Sequence, residues 1–268
     1  MYFYTTNHHI PSTRPILAMA STMEMETRTK IASKICQGLS SNKFSRELPT
    51  NENELLRRLD SDVPAHLLGL WGGSKEGNRN RANKSDAESL DFVYSVRGRL
   101  AEYSGMKASA SLLFCDIHHK LANGRQDKEI RAYFESLKPL VEERGFELIG
   151  LQSVVGKAPV LRNYIDDHSL LAAQKILSDQ RVLEKTIKSA KRHSQQIGSG
   201  TAPGKVVEIY VAIEVYFLHE VDRIFHHLPI FFSFSDPEVQ KPIATASEIP
   251  MFHFHSNSRR RHECPWYS

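Results

Sequence analysis

A serine on a glycine-rich turn is the first residue of this sequence that could act as a nucleophile. The apolar run 65–71 predicts a buried strand. The turn after it begins with Gly72, Gly73 and Ser74. Glycines let the backbone approach a ligand closely, and such a turn would present the Ser74 hydroxyl. The alternative is a plain strand-to-helix turn. The order Gly-Gly-Ser-Lys differs from a Walker phosphate loop, and no G-x-S-x-G motif is present.

An aspartate at the end of the second predicted strand is the next candidate. Asp116 directly follows the apolar run Ala110–Cys115. Ligands of open α/β sheets bind beyond the carboxyl ends of the strands, so Asp116 is a candidate substrate-binding carboxylate. It could instead cap the next helix, or ligate a metal together with His118 and His119.

Two Tyr–Glu pairs lie on the long amphipathic helix predicted over residues 205–227. On a helical wheel Glu220 falls inside the apolar stripe, and Glu214 falls at its edge. Tyr210 precedes Glu214 by four residues and Tyr216 precedes Glu220 by four, so each phenol can reach its acid.

A carboxylate on an apolar face is costly unless it is paired or functional. A Tyr–Glu face that points into a pocket is suited to binding an amine and relaying a proton. The alternative is a structural carboxylate paired with an arginine, such as Arg223 or Arg162.

A basic stripe follows one side of the helical segment predicted over residues 161–193. Four of its bases fall within roughly 60° of each other around the helix, and two more adjoin them. The six residues are Lys175, Arg181, Lys185, Lys188, Lys191 and Arg192. Such a stripe is the electrostatic footprint of phosphate-backbone binding, and its alternative is an ordinary solvated face.

The elements that must position these residues follow a strand–helix–strand–helix–strand order. That order predicts an α/β fold with a doubly wound, mainly parallel sheet flanked by helices. Later strands are expected over Ile230–Phe234 and Met251–His255. Residues 1–50 are expected to be a disordered leader, and residues 51–268 a single α/β domain.

The composition is that of an ordinary soluble globular protein. Of its 268 residues, 40% are hydrophobic and 25% are charged, and no apolar run is long enough to cross a membrane. A formal net charge of +4 permits a polyanionic partner without requiring one. The three cysteines are far apart and lack C-x-x-C spacing, so we expect a reducing, cytoplasmic compartment and no metal site.

The layout of these motifs resembles that of the tRNA-dependent cyclodipeptide synthases. The matching pieces are Gly72-Gly73-Ser74 with Asn78, the Lys175–Arg192 helix, and Tyr210 with Glu214 before an aromatic run. The leader, the size and the missing bacterial signature suggest the fungal branch, which makes arginine-containing cyclodipeptides. Two departures are that Asn78 stands one place late and that no tyrosine stands at the usual distance beyond Glu214.

The resemblance implies a fold similar to the catalytic domain of class I aminoacyl-tRNA synthetases. It implies two aminoacyl-tRNA substrates, one of them arginyl-tRNA, and neither cofactor nor metal. Ser74 would accept the first aminoacyl group, Tyr210 and Glu214 would hold and deprotonate the α-amine, and the basic helix would bind tRNA. An arginine substrate would need a carboxylate for its guanidinium, and the candidates are Asp116, Glu220 and Asp222.

Two other functions remain open. Trp71-Gly-Gly-Ser-Lys, Asp116 and Asn123-Gly124-Arg125 are also similar to the isocyanide synthases of the pyoverdine/dityrosine type. Those enzymes act on an amino acid and would use the basic residues for a small sugar phosphate. A non-catalytic RNA-binding α/β protein is the third possibility.

Overall fold

Within the described part of the chain, five parallel strands form one sheet. The structure is a computed structural model, and it describes residues 30, 64–72, 80–104, 107–224, 230–233, 237–246 and 251–253. The strands are β1 (His66–Trp71), β2 (Ser109–Phe114), β3 (Glu147–Gly150), β4 (Ile230–Ser233) and β5 (Met251–His253). Their order across the sheet is β3-β2-β1-β4-β5. The chain adds β2 and β3 on one side of β1 and then β4 and β5 on the other side, which is the strand order of a doubly wound sheet. The predicted fold class is therefore confirmed.

Helices cover both faces of the sheet. They are α1 (Lys84–Ser104), α2 (Asp127–Glu142), α3 (Leu151–Val155), α4 (Asp167–Leu177), α5 (Gln180–His193), α6 (Gln195–Gly198), α7 (Pro203–Ile224) and α8 (Pro237–Ala246). A π-helical turn spans His118–Ala122, and a 3₁₀ turn spans Leu161–Asn163. No helix in these described ranges is long and apolar enough to cross a membrane.

Successive side chains of the central strand enter two separate hydrophobic cores. Leu67 and Trp71 pack against α1 and α2, whereas Leu68 and Leu70 pack against α4, α5, α7 and α8. This alternation follows from the pleat of a strand, whose neighbouring side chains point to opposite faces. Because both faces are covered, the strand reads as a continuous apolar run.

The mid-chain helical segment is divided into two helices, which corrects the prediction of one. The Asp179 carboxylate caps α5, because its Oδ1 accepts hydrogen bonds from the backbone N–H groups of Arg181 (2.9 Å) and Val182 (3.3 Å). Lys175 therefore lies on α4, and the other five basic residues lie on α5. An aspartate at an N-cap starts a new helix, because it satisfies N–H groups that lack an intrahelical partner.

The expected leader over residues 1–50, apart from residue 30, lies outside the described residues. The helix α8 was missed by the sequence patterns. Asn83 caps the N-terminus of α1, because its side-chain oxygen accepts from the N–H groups of Ser85 and Asp86. The Asp86 carboxylate in turn accepts from the Asn83 N–H at 2.9 Å, so the two residues cap each other.

Candidate functional site

The strand register brings the carboxyl ends of β1, β2 and β4 to one edge of the sheet. Trp71 pairs with Phe114, and Leu70 pairs with Ser233. Gly72 is exposed at this edge, directly after β1. Gly73, Ser74 and Asn78 lie outside the described residues, so their roles stay predictions.

Glu214 is a buried acid on α7, with 3% of its surface exposed. Its Oε1 accepts a hydrogen bond from the Gln240 side-chain amide of α8 at 2.6 Å. Its Oε2 has no hydrogen-bond partner among the described residues. A buried carboxylate oxygen without a partner is costly, which marks this position as a candidate site for a ligand that donates hydrogen bonds.

Burial raises the pKa of Glu214, and hydrogen bonds from Gln240 and Tyr210 act in the opposite direction. Removing water disfavours the charged form of an acid, while donors to its oxygens favour that form. This influence on the pKa indicates that Tyr210 lies near the Glu214 carboxyl, as the i,i+4 spacing predicts. An acid in this state can exchange a proton with an amine more readily than a solvated glutamate can.

The surroundings of Cys115 show that Glu214 lies near the same edge of the sheet. The Cys115 backbone N–H donates to the carbonyl of Trp71 at 3.1 Å, so Cys115 sits beside the end of β1. Burial raises the pKa of the Cys115 thiol, and the neighbouring charges of Glu214 and Asp116 raise it further. Both acids thus lie close to the carboxyl ends of β1 and β2.

Asp116 caps a helix, although not the helix expected from the sequence. Its Oδ1 accepts from the N–H of Ile117 (2.8 Å) and from the N–H of Gln152 (3.1 Å), in the first turn of α3. Burial raises the pKa of Asp116 to about 6, and these backbone donors limit the rise. Gly150 leaves room for this contact, since a Cβ there would stand 2.8 Å from Asp116 Oδ2.

An open pocket of about 500 Å³ lies next to Asp116. Its lining residues are Asp116, Gln152, Ser153, Gly156, Lys157 and Ala158. The Lys157 ammonium donates to the hydroxyl of Tyr216, which ties α7 to the pocket wall. A wall that carries both a carboxylate and an ammonium group suits a polar ligand bearing charge of either sign.

Two tyrosines support Lys157. The Tyr164 hydroxyl donates to the Lys157 carbonyl at 2.7 Å, and the Tyr164 and Tyr216 rings meet edge to face with centroids 6.0 Å apart. Burial raises the pKa of Tyr164 to about 12, with further contributions from Asp116 and Tyr216. The phenol thus stays protonated and acts here as a hydrogen-bond donor.

The inward acid of α7 is Glu214, and the helical-wheel preference for Glu220 is wrong. Glu220 is half-buried near the end of the helix, whereas residues 211–218 are all buried. Asp222 lies on the last turn of α7, and no side-chain geometry is described for it. The described partner of Glu214 is Gln240, and Arg162, one of the two arginines considered as its partner, is exposed. The side chain of Arg223, the other one, lies outside the described residues.

The Asp116–His118–His119 metal hypothesis finds no support in the described part of the chain. There, no group of three or more His, Cys, Asp or Glu side chains is arranged to hold a metal ion. His118 instead packs its ring against Tyr210 and Phe217, with centroids 5.4 and 5.6 Å away. Burial lowers the pKa of His118 to about 3, so its imidazole is neutral.

The basic residues form a solvent-facing surface on α4 and α5. Lys175, Arg181, Lys188, Lys191 and Arg192 are exposed, and Lys185 is half-buried. The opposite side of α5 is anchored by Val182 and Thr186, which are buried. Its lysines and arginines can therefore meet a large polyanion without disturbing the core.

Lys157 and Gln240 are the two site residues that sequence reasoning missed. Lys157 follows Gly156, a helix-ending glycine with φ +64, shortly after β3. That position after a parallel strand is a usable signal. Gln240 lies between two prolines, Pro237 and Pro242, and carries no signal that points to Glu214.

The fold and this edge together define a Rossmann-like α/β protein with two acids at the carboxyl ends of its central strands. No protein-family model and no curated protein matches the chain. Its structure is similar to that of the PvcA protein from Pseudomonas aeruginosa, with a TM-score of 0.59 and 13% identity, covering 86% of this chain and 85% of PvcA. It is also similar to the tyrosyl-tRNA synthetase from Archaeoglobus fulgidus, complexed with L-tyrosine, with a TM-score of 0.47 and 13% identity, covering 84% and 63%.

Proposed function

We propose that this chain is a tRNA-dependent cyclodipeptide synthase that makes an arginine-containing diketopiperazine. The observation that carries the proposal is the buried Glu214 carboxyl with its unpartnered Oε2, one helical turn from Tyr210. A primary amine is the group that such an oxygen would bind best, because an ammonium donates a charge-assisted hydrogen bond. The same Tyr–Glu pair is the part of the family resemblance that the described residues include.

In the proposed first step the Ser74 hydroxyl attacks the ester carbonyl of an aminoacyl-tRNA. The seryl ester forms, the bond to the ribose oxygen breaks, and that oxygen takes the proton. The tRNA ester already carries the activation, so no ATP is consumed. Gly72, at the end of β1, directly precedes the segment that contains this serine.

In the second step the α-amine of the seryl ester attacks the ester of a second aminoacyl-tRNA. Glu214 binds that amine, with the Tyr210 phenol as its hydrogen-bond donor, and takes the proton that the new amide releases. The bond to the ribose oxygen of the second tRNA breaks, and that oxygen receives the proton. The amine of the second residue then attacks the seryl ester. This closes the ring and restores the serine hydroxyl, so two amides replace two tRNA esters.

The α4–α5 basic surface is the proposed tRNA-binding site. Its binding should weaken steeply with salt, because each neutralised phosphate releases a counterion. In the double variant Lys188→Glu/Lys191→Glu the negative slope of log affinity against log salt should become shallower by about 2. The matched control is Lys128→Glu/Lys138→Glu on α2, which packs on the other sheet face. Equal slopes in both variants would contradict this surface.

Product analysis tests the reaction. Bacteria that express the chain should release a new cyclic dipeptide that contains arginine, detected by mass spectrometry of the medium. Ser74→Ala should abolish it, whereas Ser95→Ala on α1 should not. Absence of any diketopiperazine from folded protein would reject the proposal.

An isocyanide synthase that acts on an amino acid is the second candidate. The similarity of fold to PvcA fits this candidate in part. An isocyanide synthase requires no tRNA. On this candidate function, the purified chain should bind tRNA no more tightly than the Lys188→Glu/Lys191→Glu variant does. An isonitrile product from the same cultures would establish it.

A further inference from the structure

Two exposed histidines meet across the packed helices α4 and α7. Nε2 of His168 and Nε2 of His219 are 3.1 Å apart, and the ring centroids are 4.9 Å apart at an interplanar angle of 72°. The helices run antiparallel, since Gln174 also donates to Glu208 at 3.0 Å. The pair is separate from the candidate site formed by Glu214 and Asp116, and no step of the proposed reaction uses it.

The separation of the two nitrogens matches that of two imidazoles on one metal ion. With metal–nitrogen bonds of about 2.05 Å, ligands at 90° stand about 2.9 Å apart and tetrahedral ligands about 3.3 Å apart. The 3.1 Å between His168 and His219 lies between these values. Both rings are exposed, so an ion could reach them.

A neighbouring carboxylate makes the surroundings favourable for a cation. Asp166 caps α4 through the Ser169 N–H at 2.7 Å. This N-cap carboxyl group stands two residues before His168. Among the described residues no third ligand completes a closed group, so other coordination positions would fall to water.

We propose that His168 and His219 form an open, two-histidine site for a late first-row divalent ion, of the class of Cu²⁺, Ni²⁺ or Zn²⁺. Imidazole nitrogens suit these ions, and Cu²⁺ binds most tightly among them. The ion joins α4 to the C-terminal part of α7, the helix that carries Tyr210, Glu214 and Tyr216. The site therefore stabilises the helix that positions the proposed catalytic acid.

Copper titration with a double-mutant cycle tests the site in the full chain. The variants are His168→Asn, His219→Asn and the double change, with His193→Asn on α5 as the matched control. Each single change should weaken one Cu²⁺ site at least about 100-fold, because a chelate loses its second arm. The loss of affinity in the double variant should be smaller than the sum of the two single losses.

Two readouts separate chelation from a simple hydrogen bond between the rings. Electron paramagnetic resonance of the first Cu²⁺ equivalent should show two equatorial nitrogens in the native chain and in His193→Asn. Zn²⁺ should raise the melting temperature of those two proteins and not of the His168 or His219 variants. Circular dichroism without metal checks that the variants fold, and a melting temperature without metal gives their baseline. Equal copper affinity in all five proteins would overturn the proposal.

Discussion

The two acids at the carboxyl edge of the sheet obtain raised pKa values in different surroundings. Glu214 is buried between α7 and α8, where the Gln240 side-chain amide donates a hydrogen bond to the carboxyl group. Asp116 lines an open pocket, where backbone N–H groups donate hydrogen bonds to its carboxyl group. Burial is the first cause of both shifts. The difference teaches that Asp116 is held by the fold itself, whereas Glu214 depends on individual side chains that substitution can remove.

Glu214→Gln is the change that should affect this comparison most. Product formation should fall by at least about 100-fold, because the amide cannot accept the amine's proton. Folding should respond in the opposite direction. The raised pKa means that the folded state loses stability as pH rises from the pKa of the unfolded state to the raised pKa, and a neutral amide avoids this loss. Above the raised pKa the variant should therefore melt higher by roughly 2–4 °C for each kcal/mol gained.

Glu208→Gln is the matched control on the same helix. Hydrogen bonds from Gln174 and Lys205 lower the pKa of Glu208, so its carboxylate stabilises the fold above its unfolded pKa and loses that effect as pH falls. Calorimetry across pH should give opposite signs for the two variants. The same sign in both would contradict the assigned burial of Glu214.

Asp116→Asn should have the second-largest effect. The pKa of about 6 means that the native carboxyl is largely ionised only above that pH, so activity should rise through pH 6 if Asp116 binds a cationic substrate group. The variant should lose about tenfold in activity above this pH and show no such rise. Its stability should no longer decline between about pH 4 and pH 6, where the native acid gives up its proton.

The matched control for Asp116 is Asp127→Asn, an exposed aspartate that pairs with Lys120 at 2.7 Å. Its removal should leave the pH profile of product formation unchanged. Rates measured from pH 5 to 8 compare the two variants. A rise through pH 6 that persists in Asp116→Asn would assign it to another group.

Gly150→Ala should have the smallest effect and sharpen the role of the backbone. A Cβ at this position would stand 2.8 Å from Asp116 Oδ2, so the carboxyl must move or β3 must shift. We expect a destabilisation of about 1–3 kcal/mol in chemical denaturation. Gly98→Ala in α1 is the control, because a Cβ added at this position would meet no other part of the fold within 4 Å. That change should stabilise the helix by about 0.5–1 kcal/mol, and a loss equal to that of Gly150→Ala would contradict the steric account.

The strands β1, β2, β4 and β5 could be predicted within two residues because each is a short, mostly apolar run. β1 and β2 are buried along almost their whole length. The acid of α7 could not be chosen from a wheel. Residues 211–218 are buried all round, since the sheet, α4, α5 and α8 enclose that part of the helix. A single apolar stripe is therefore the wrong description, and position along the helix decides burial.

The partners of the two acids were beyond sequence reasoning for a similar reason. Gln240 lies on a helix whose two prolines argue against a helix at all. The backbone donor at Gln152 reaches Asp116 only because β3 pairs with β2, 36 residues away. Such contacts depend on the order of strands, which local patterns do not contain.

The position of β4 beside β1 also has a consequence for synthesis of the chain. β1 pairs on one side with β2, about 40 residues later, and on the other with β4, about 160 residues later. At 5–20 residues per second a ribosome needs roughly 8–32 s to make that stretch. During that time one side of β1 has unpaired backbone groups that can bind a neighbouring nascent chain. Slower translation should therefore increase aggregation of this protein, and chaperones that shield extended segments should reduce it.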